Sequence, residues 1–435
     1  LSLSFNNPVG KMRQRLKGLD WRFIRGSAII SAGSAGARLL AMVYWLILAR
    51  AFTPDQYGFV QYAITLATLV AILAQPVGQH VFTRYIGKHR EQAEQLPALL
   101  SNLLVVLLGV FGASLLLALP VLAALGELSA GVVVVACGIT MFYGYWGLAN
   151  GVLASGRLTL VYLGSNLIQL AVSYGLITLL GVRSPQLALL IYGCSYLPAI
   201  LLMQLARPLP LSFRPALVTR PVVGEILRFS WPVWVSHIAF TLGTSLPVLL
   251  LNQFAGKAAV GIYSLATTLA AIFGVVALGL STQLMPTIAG APRHMHITLL
   301  KRTMAVLLGV SVVMLALYVP VVRFVVPAVF GAEYLSSPST YGLLAAVAIA
   351  TGANSLLTAA LVGGGRVRGE AVARVLNLTL TGALGLILVP RFGVEGAAAA
   401  LLAGVLASIV VNTAVIMRRP PSDEATGPER PGQQG

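Results

Sequence analysis

The stretch GSAIISAGSAGARLLAMVYWLIL, Gly26 to Leu48, decides the class of fold. It is apolar throughout except at Arg38, which stands about a dozen residues, or roughly 18 Å of helix, from each of the flanking arginines Arg25 and Arg50. A run of this length matches a bilayer hydrocarbon core of about 30 Å. A guanidinium at its centre is costly unless it faces a wet cavity or a partner, so an intramembrane charge marks a functional site by default.

The rest of the chain repeats the pattern. Of 435 residues, 57% are hydrophobic and 9% charged, whereas a soluble domain is about a quarter charged. The apolar runs are continuous and lack period-two alternation, which predicts helices and not barrel strands. The spans run from Gly26 to Leu48, Tyr57 to Val77, Leu99 to Leu122, Gly131 to Leu153, Leu158 to Leu180 and Leu187 to Leu205 in the first half. In the second half they run from Trp231 to Leu251, Val260 to Met285, Met304 to Val322, Tyr341 to Val362, Val372 to Leu388 and Gly396 to Ile416. The sequence thus reads as an all-α integral membrane protein of about 12 transmembrane helices.

Charge sets the orientation. With the N-terminus inside, the far-side connectors hold only Arg50, Arg183, Lys257, Arg323 and Arg391, and apart from Arg38 the remainder of the 29 Lys and Arg lie on the near side. The positive-inside rule then places both termini in the cytoplasm. The net charge of +17 is therefore mostly topology, and a nucleic-acid partner is excluded because no soluble face concentrates it.

Residues 1–25 interleave Lys11, Arg13, Arg15, Lys17, Arg22 and Arg25 with Leu16, Leu19, Trp21, Phe23 and Ile24, as a basic amphipathic helix along the inner leaflet does. Residues 26–206 form an N-lobe of helices 1–6, 207–229 a cytoplasmic linker with Pro and Arg, and 230–417 a C-lobe of helices 7–12. The tail 418–435 is too rich in Pro, Gly and charge to bury a core and reads as disordered.

The halves echo one another. GFVQYAITLATLV from Gly58 and GIYSLATTLAAIF from Gly261 coincide at Gly, Ala, Thr, Leu and Ala, and Gly156-Arg157 echoes Gly365-Arg366. An even number of helices per half makes the repeat parallel, giving two six-helix lobes with a substrate site between them.

Nothing resembles a catalytic or cofactor site. Asp55, Glu127, Glu333 and Glu395 are scattered over short connectors, and His80, His89, His237, His294 and His296 lack metal-ligand spacing. Cys137 and Cys194 fall inside spans, where buried thiols serve packing. No enzyme, cofactor or metal is expected. Arg38 is read as a substrate ligand, because snorkelling covers only a few ångströms and every carboxylate lies outside the apolar runs; burial against helix carbonyls is the structural alternative. Its planar fork grips a phosphate with two hydrogen bonds. Gln75, Gln79 and Arg84 follow one another down the second span and could line a path to Arg38, and His237 is the candidate titrating group. The remaining span amides, among them Asn354, Asn377 and Asn412, read as interhelical hydrogen-bonders.

The string LARAFTPDQYGFVQYA, Leu48 to Ala63, with Ala49, Arg50, Pro54, Tyr57 and Gly58, resembles the start of the second span in Wzx-type oligosaccharide flippases of the multidrug, oligosaccharidyl-lipid and polysaccharide exporter superfamily. Arg84 in TRYIG and VGIYSLA at Val260 to Ala266 extend the resemblance. It implies two lobes around a cavity open alternately to either side, moving undecaprenyl-pyrophosphate-linked oligosaccharide outward, with Arg38 on the pyrophosphate. Membrane lipids, a polysaccharide polymerase and a chain-length regulator are the partners it implies. Pro247 stands about where members of this group often carry an acid in the seventh span, which puts coupling through such an acid in doubt. A multidrug or cation antiporter of the same superfamily would want a membrane carboxylate, and a polysaccharide polymerase or ligase would want a large external loop. This chain offers neither.

Overall fold

A computed structural model describes residues 21–73, 96–124, 126, 129–153, 156–206, 214–290, 293–335, 338–363 and 367–417. The expected amphipathic segment before Trp21, the tail from Arg418, and Gln75, Gln79 and Arg84 lie outside the described residues. Among the described residues there is no strand. Among the described residues nine stretches are long and apolar enough to cross a membrane, and the one at Gly369–Met417 contains two of the runs read from the sequence.

The first lobe comprises α1 (Trp21–Ala51), α2 (Pro54–Leu73), α3 (Leu96–Ala124), α4 (Ala130–Leu153), α5 (Gly156–Leu179), α6 (Pro185–Cys194) and α7 (Tyr196–Ala206). The second comprises α8 (Arg220–Phe254), α9 (Gly256–Gly290), α10 (Arg293–Pro320), α11 (Val326–Phe330), α12 (Pro338–Gly363) and α13 (Val367–Met417). Several helices outrun the apolar segments that predict them, since a helix need not end where the hydrocarbon does. Thus α8 starts at Arg220, inside the expected linker, with Thr219 at its N-cap and a proline in its first turn.

Breaks occur where proline removes a donor. The sixth predicted span is two helices parted at Ser195, because Pro198 cannot bond the carbonyl one turn back. The ninth continues past its predicted end at Val322 through a π-turn, Val321–Val325, into α11, where Pro327 denies Arg323 its usual partner. Arg323 is exposed there and lies 5.8 Å from the Phe324 ring centre. In α13 the two predicted spans join across Gly393, whose φ of 53° is a left-handed conformation suited to glycine.

Two sequence expectations are corrected. Cys137 and Cys194 are free, but Cys194 is exposed on its helix instead of packed. Glu370 lies inside the apolar helix α13, 7% exposed, and pairs with Arg374 one turn on. That pairing neutralises a charge that would otherwise be expensive there, and Arg374 also lies 5.1 Å from the Phe240 ring centre.

The lobes meet along α1 and α2 on one side and α8 and α9 on the other. At one end of this interface a methyl on Gly58 would overlap the Lys257 carbonyl oxygen and come within 2.8 Å of the Gly261 nitrogen. A methyl on Gly261 would overlap the Pro54 carbonyl oxygen and come within 3.2 Å of the Gly58 nitrogen. Lys257 stands to Gly261 as Pro54 stands to Gly58, so exchanging the lobes maps the contact onto itself. This is the signature of a two-fold relation, and it falls on the pair that the internal repeat aligns.

Around the glycines the seam is closed by side chains. Thr53 caps α2 reciprocally with Gln56, Thr53 N–H donating to Gln56 Oε1 at 3.3 Å and Gln56 N–H to Thr53 Oγ1 at 3.4 Å. Tyr334, 1% exposed, donates its hydroxyl to the carbonyls of Ala49 and Phe52, both at 3.2 Å, and Tyr341 donates to the Tyr334 carbonyl at 2.8 Å. Burial and the neighbouring Tyr57 hold the Tyr334 phenol above the usual tyrosine range, so it stays a donor. Lys257 lies 4.9 Å from the Phe59 ring centre, joining α9 to α2.

The buried apolar core is continuous across both lobes at this end. Towards the other end, among the described residues, Ala277, Leu284, Ile288, Leu300, Leu307 and Leu356 form a separate cluster confined to α9, α10 and α12.

Gly58→Ala and Gly261→Ala are each expected to wedge the seam apart. Overpacking of about 1–3 kcal/mol corresponds to a shift of roughly 5- to 150-fold between sealed and opened forms. The measurement is labelling of Thr267→Cys, in a background without Cys137 and Cys194, by an impermeant thiol reagent added on the seam face. Gly109→Ala, whose methyl meets nothing within 4 Å, serves as control. Unchanged labelling in both seam variants would show that the contact does not hold the lobes together.

Candidate functional site

Helical geometry carries the seam directly into a cavity. On α2 the residues Pro54, Gly58, Gln61 and Thr65 recur at helical spacing on one face, and on α9 Lys257, Gly261, Ser264 and Thr268 recur at the same spacing. The first two of each set build the seam and the last two line a cavity of about 570 Å³ between the lobes. Of the coinciding residues in the repeat, glycine thus forms the seam and threonine the cavity wall, while Ala63, Ala266, Ala67 and Ala270 are buried.

Arg38, Ala41, Met42 and Trp45, again one helical face, bring α1 to the same cavity. Arg38 is exposed there and is the cavity's one charged lining residue among those described. No carboxylate pairs with it among the described residues, in contrast to Arg374 with Glu370. The alternative of burial against helix carbonyls is set aside: the guanidinium makes no hydrogen bond among the described residues and remains open to the cavity.

The opposite wall is rich in hydroxyls, and most spend their proton on their own helix. Thr65 donates to the Gln61 carbonyl, Thr267 to that of Tyr263 and Thr268 to that of Ser264, each at 2.8 Å, and Ser355 donates to the Thr351 carbonyl at 2.9 Å. Their oxygens are left as acceptors. Gln61 Nε2 and Tyr57 Oη are buried without a hydrogen-bond partner among the described residues, although the phenol stands beside Gln61 and Thr268. The cavity therefore offers one strong cationic group and several acceptor oxygens.

His237 lies half-buried on α8 with contacts of its own and is not part of the cavity wall. Two residues that sequence reasoning passed over matter to the lobe connection and the wall. Asn102 on α3, 2% exposed, donates to the Leu217 carbonyl at 3.1 Å and accepts from Thr219 N–H at 2.9 Å, fastening the segment ahead of α8 to the first lobe. Trp45 lines the cavity, but an indole inside an apolar run carries no signal that separates it from packing.

The family described as polysaccharide biosynthesis protein matches this chain over residues 23–291. No curated protein matches it in sequence. Among solved structures, the lipid II flippase MurJ in an inward closed conformation overlays with a TM-score of 0.68 at 14% identity, covering 90% of this chain and 88% of that one. An inward-facing multidrug resistance MATE family transporter of the MOP superfamily overlays at 0.64 and 14% identity, covering 88% of this chain and 93% of that one. An outward-facing MATE transporter of the MOP superfamily overlays at 0.58 and 15% identity, covering 90% and 94%. At these identities the likeness is one of fold.

Cysteine at Thr65 or Thr267, in the background lacking native cysteines, is expected to react readily with a small water-soluble thiol reagent. Cysteine in place of His237 should react more slowly. Equal rates at all three positions would extend the wetted wall to His237 and restore it as a candidate ligand.

Proposed function

Because the chain belongs to the polysaccharide biosynthesis protein family, we propose that it is a flippase carrying polyprenyl-pyrophosphate-linked oligosaccharide from the cytoplasmic to the outer leaflet of the bacterial inner membrane, for cell-surface polysaccharides of the O-antigen kind. The observation that carries this reading is Arg38, an uncompensated cation facing a hydroxyl-lined cavity between two lobes. A guanidinium binds pyrophosphate oxygens through charge-assisted hydrogen bonds, which are the strong kind. A drug or cation antiporter is disfavoured, since no carboxylate among the described residues lines this cavity and Arg38 would repel its cargo.

The charge bias puts the sealed seam at the outer face and both termini in the cytoplasm. Alternating access then consists of parting the Gly58 and Gly261 contact as the lobes, residues 26–206 and 230–417, rock about it. No bond is made or broken, so the protein is not an enzyme and needs no cofactor. With no acid on the wall among the described residues, the membrane potential supplies direction: moving a net negative head group outward is favoured by about 2.3 kcal/mol per charge per 100 mV, inside negative. A polymerase and a chain-length regulator are the partners that would consume the product outside.

The test deletes the gene and follows the leaflet in which lipid-linked oligosaccharide accumulates. Wild type is expected to clear the cytoplasmic leaflet, Arg38→Lys in part, and Arg38→Ala at least about tenfold more slowly, given about 1.5–3 kcal/mol for a hydrogen bond to a charged group. Full rescue by Arg38→Ala would remove the pyrophosphate role. An unchanged pool of lipid intermediates after deletion would remove the flippase reading.

A further inference from the structure

The register that pairs Gly58 with Gly261 also pairs the wall residues of the two lobes: Thr65 with Thr268, Gln61 with Ser264, and Ala41 with Thr244. In the same register Arg38 answers to Thr241 and Trp45 to Val248. Most of the lining comes from the second lobe, and what the first lobe adds that the second does not match is a cation and an indole on one face of α1. Both residues belong to one lobe and lie two turns apart, about 10 Å along the helix.

We propose that Trp45 is the carbohydrate-contacting residue of this cavity, packing its indole against the sugar next to the anion held by Arg38, and that the glycan taken there is uncharged and rich in hydroxyls. The proposal rests on the flippase reading and assigns the other half of the same site.

The indole is fixed before any ligand arrives. It meets the Tyr44 ring edge-on at a centroid distance of 4.9 Å and the Tyr192 ring at 5.2 Å, and Tyr44 is itself tied to Ser173 by a hydrogen bond of 2.8 Å. A pre-set aromatic surface loses little entropy on binding, and sugar rings present apolar C–H faces that pack on such surfaces. The Trp45 N–H has no partner among the described residues, so the edge of the ring offers one donor beside that surface.

The chemistry of the facing wall selects the same ligand. Thr65, Thr267, Thr268 and Ser355 have given their protons to helix carbonyls and can only accept. A ligand that satisfies them brings many O–H donors, as a glycan does and a polyprenyl tail does not. Among the described residues the wall carries no carboxylate for an amino sugar, and Arg38, its one charge, is committed to the phosphate. A uronic acid next to the pyrophosphate would therefore face no counter-charge.

The experiment uses the full chain in nanodiscs with three probes: polyprenyl pyrophosphate, the same lipid bearing one neutral hexose, and the same lipid bearing one uronic acid. In wild type the hexose is expected to tighten binding about fivefold over the bare lipid. Trp45→Ala should abolish that increment and Trp45→Phe should keep part of it, while both bind the bare lipid as wild type does. An increment that survives Trp45→Ala overturns the proposal. So does an equal loss for the bare and hexose-bearing lipids, which would place the tail or the pyrophosphate against Trp45. Tighter binding of the uronic acid than of the hexose overturns the neutral-glycan assignment. The bare lipid with Arg38→Ala tests the flippase reading separately, because that probe has no sugar.

Discussion

Two backbones in contact, at Gly58 of α2 and Gly261 of α9, set the distance at which the lobes meet. In a bilayer, apolar side chains gain nothing by leaving lipid for one another, so helix association depends on close packing of small residues and on interhelical hydrogen bonds. The seam has both: the paired glycines, and the Tyr334 hydroxyl shared between the Ala49 and Phe52 carbonyls. Because seam and cavity lie on the same faces of α2 and α9, the contact that closes one end also positions the wall below it. Parting the glycines therefore alters access to Thr65 and Thr268 without rebuilding either helix.

The cavity is electrostatically simple. Arg374 has Glu370 beside it one turn away on α13, while Arg38 faces the cavity without a carboxylate among the described residues. The first arrangement is neutral and holds a helix together. The second leaves a charge to be answered by a ligand. Hydroxyls turned back on their own helices keep the rest of the wall polar but free of charge, which suits a cargo with one anionic part and one neutral, hydrogen-bonding part.

Much of this was legible in the chain. Apolar length announced the helices, and the coincidence of Gly58 with Gly261 marked the internal repeat. Arg38 stood out because a lone charge in an apolar run has few explanations. Trp45 did not stand out, because an indole is as much at home in lipid or core as on a cavity wall. His237 had the right chemistry for a site, but it stands two turns along α8 from Thr244, the nearest wall residue of that helix. The breaks at Ser195 and after Pro320 turn on single missing N–H donors, which composition over a span does not register.

By itself the sequence determined that the chain is helical, that it lies in a membrane, that it is built twice over, and that one cation is out of place. These follow from local quantities: hydropathy, period and the cost of a buried charge. Only the tertiary structure decided which faces of α1, α2, α8 and α9 meet, because in lipid the rotation of a helix is set by the small-residue contacts it finds on its neighbours, and those contacts come from residues distant in the chain.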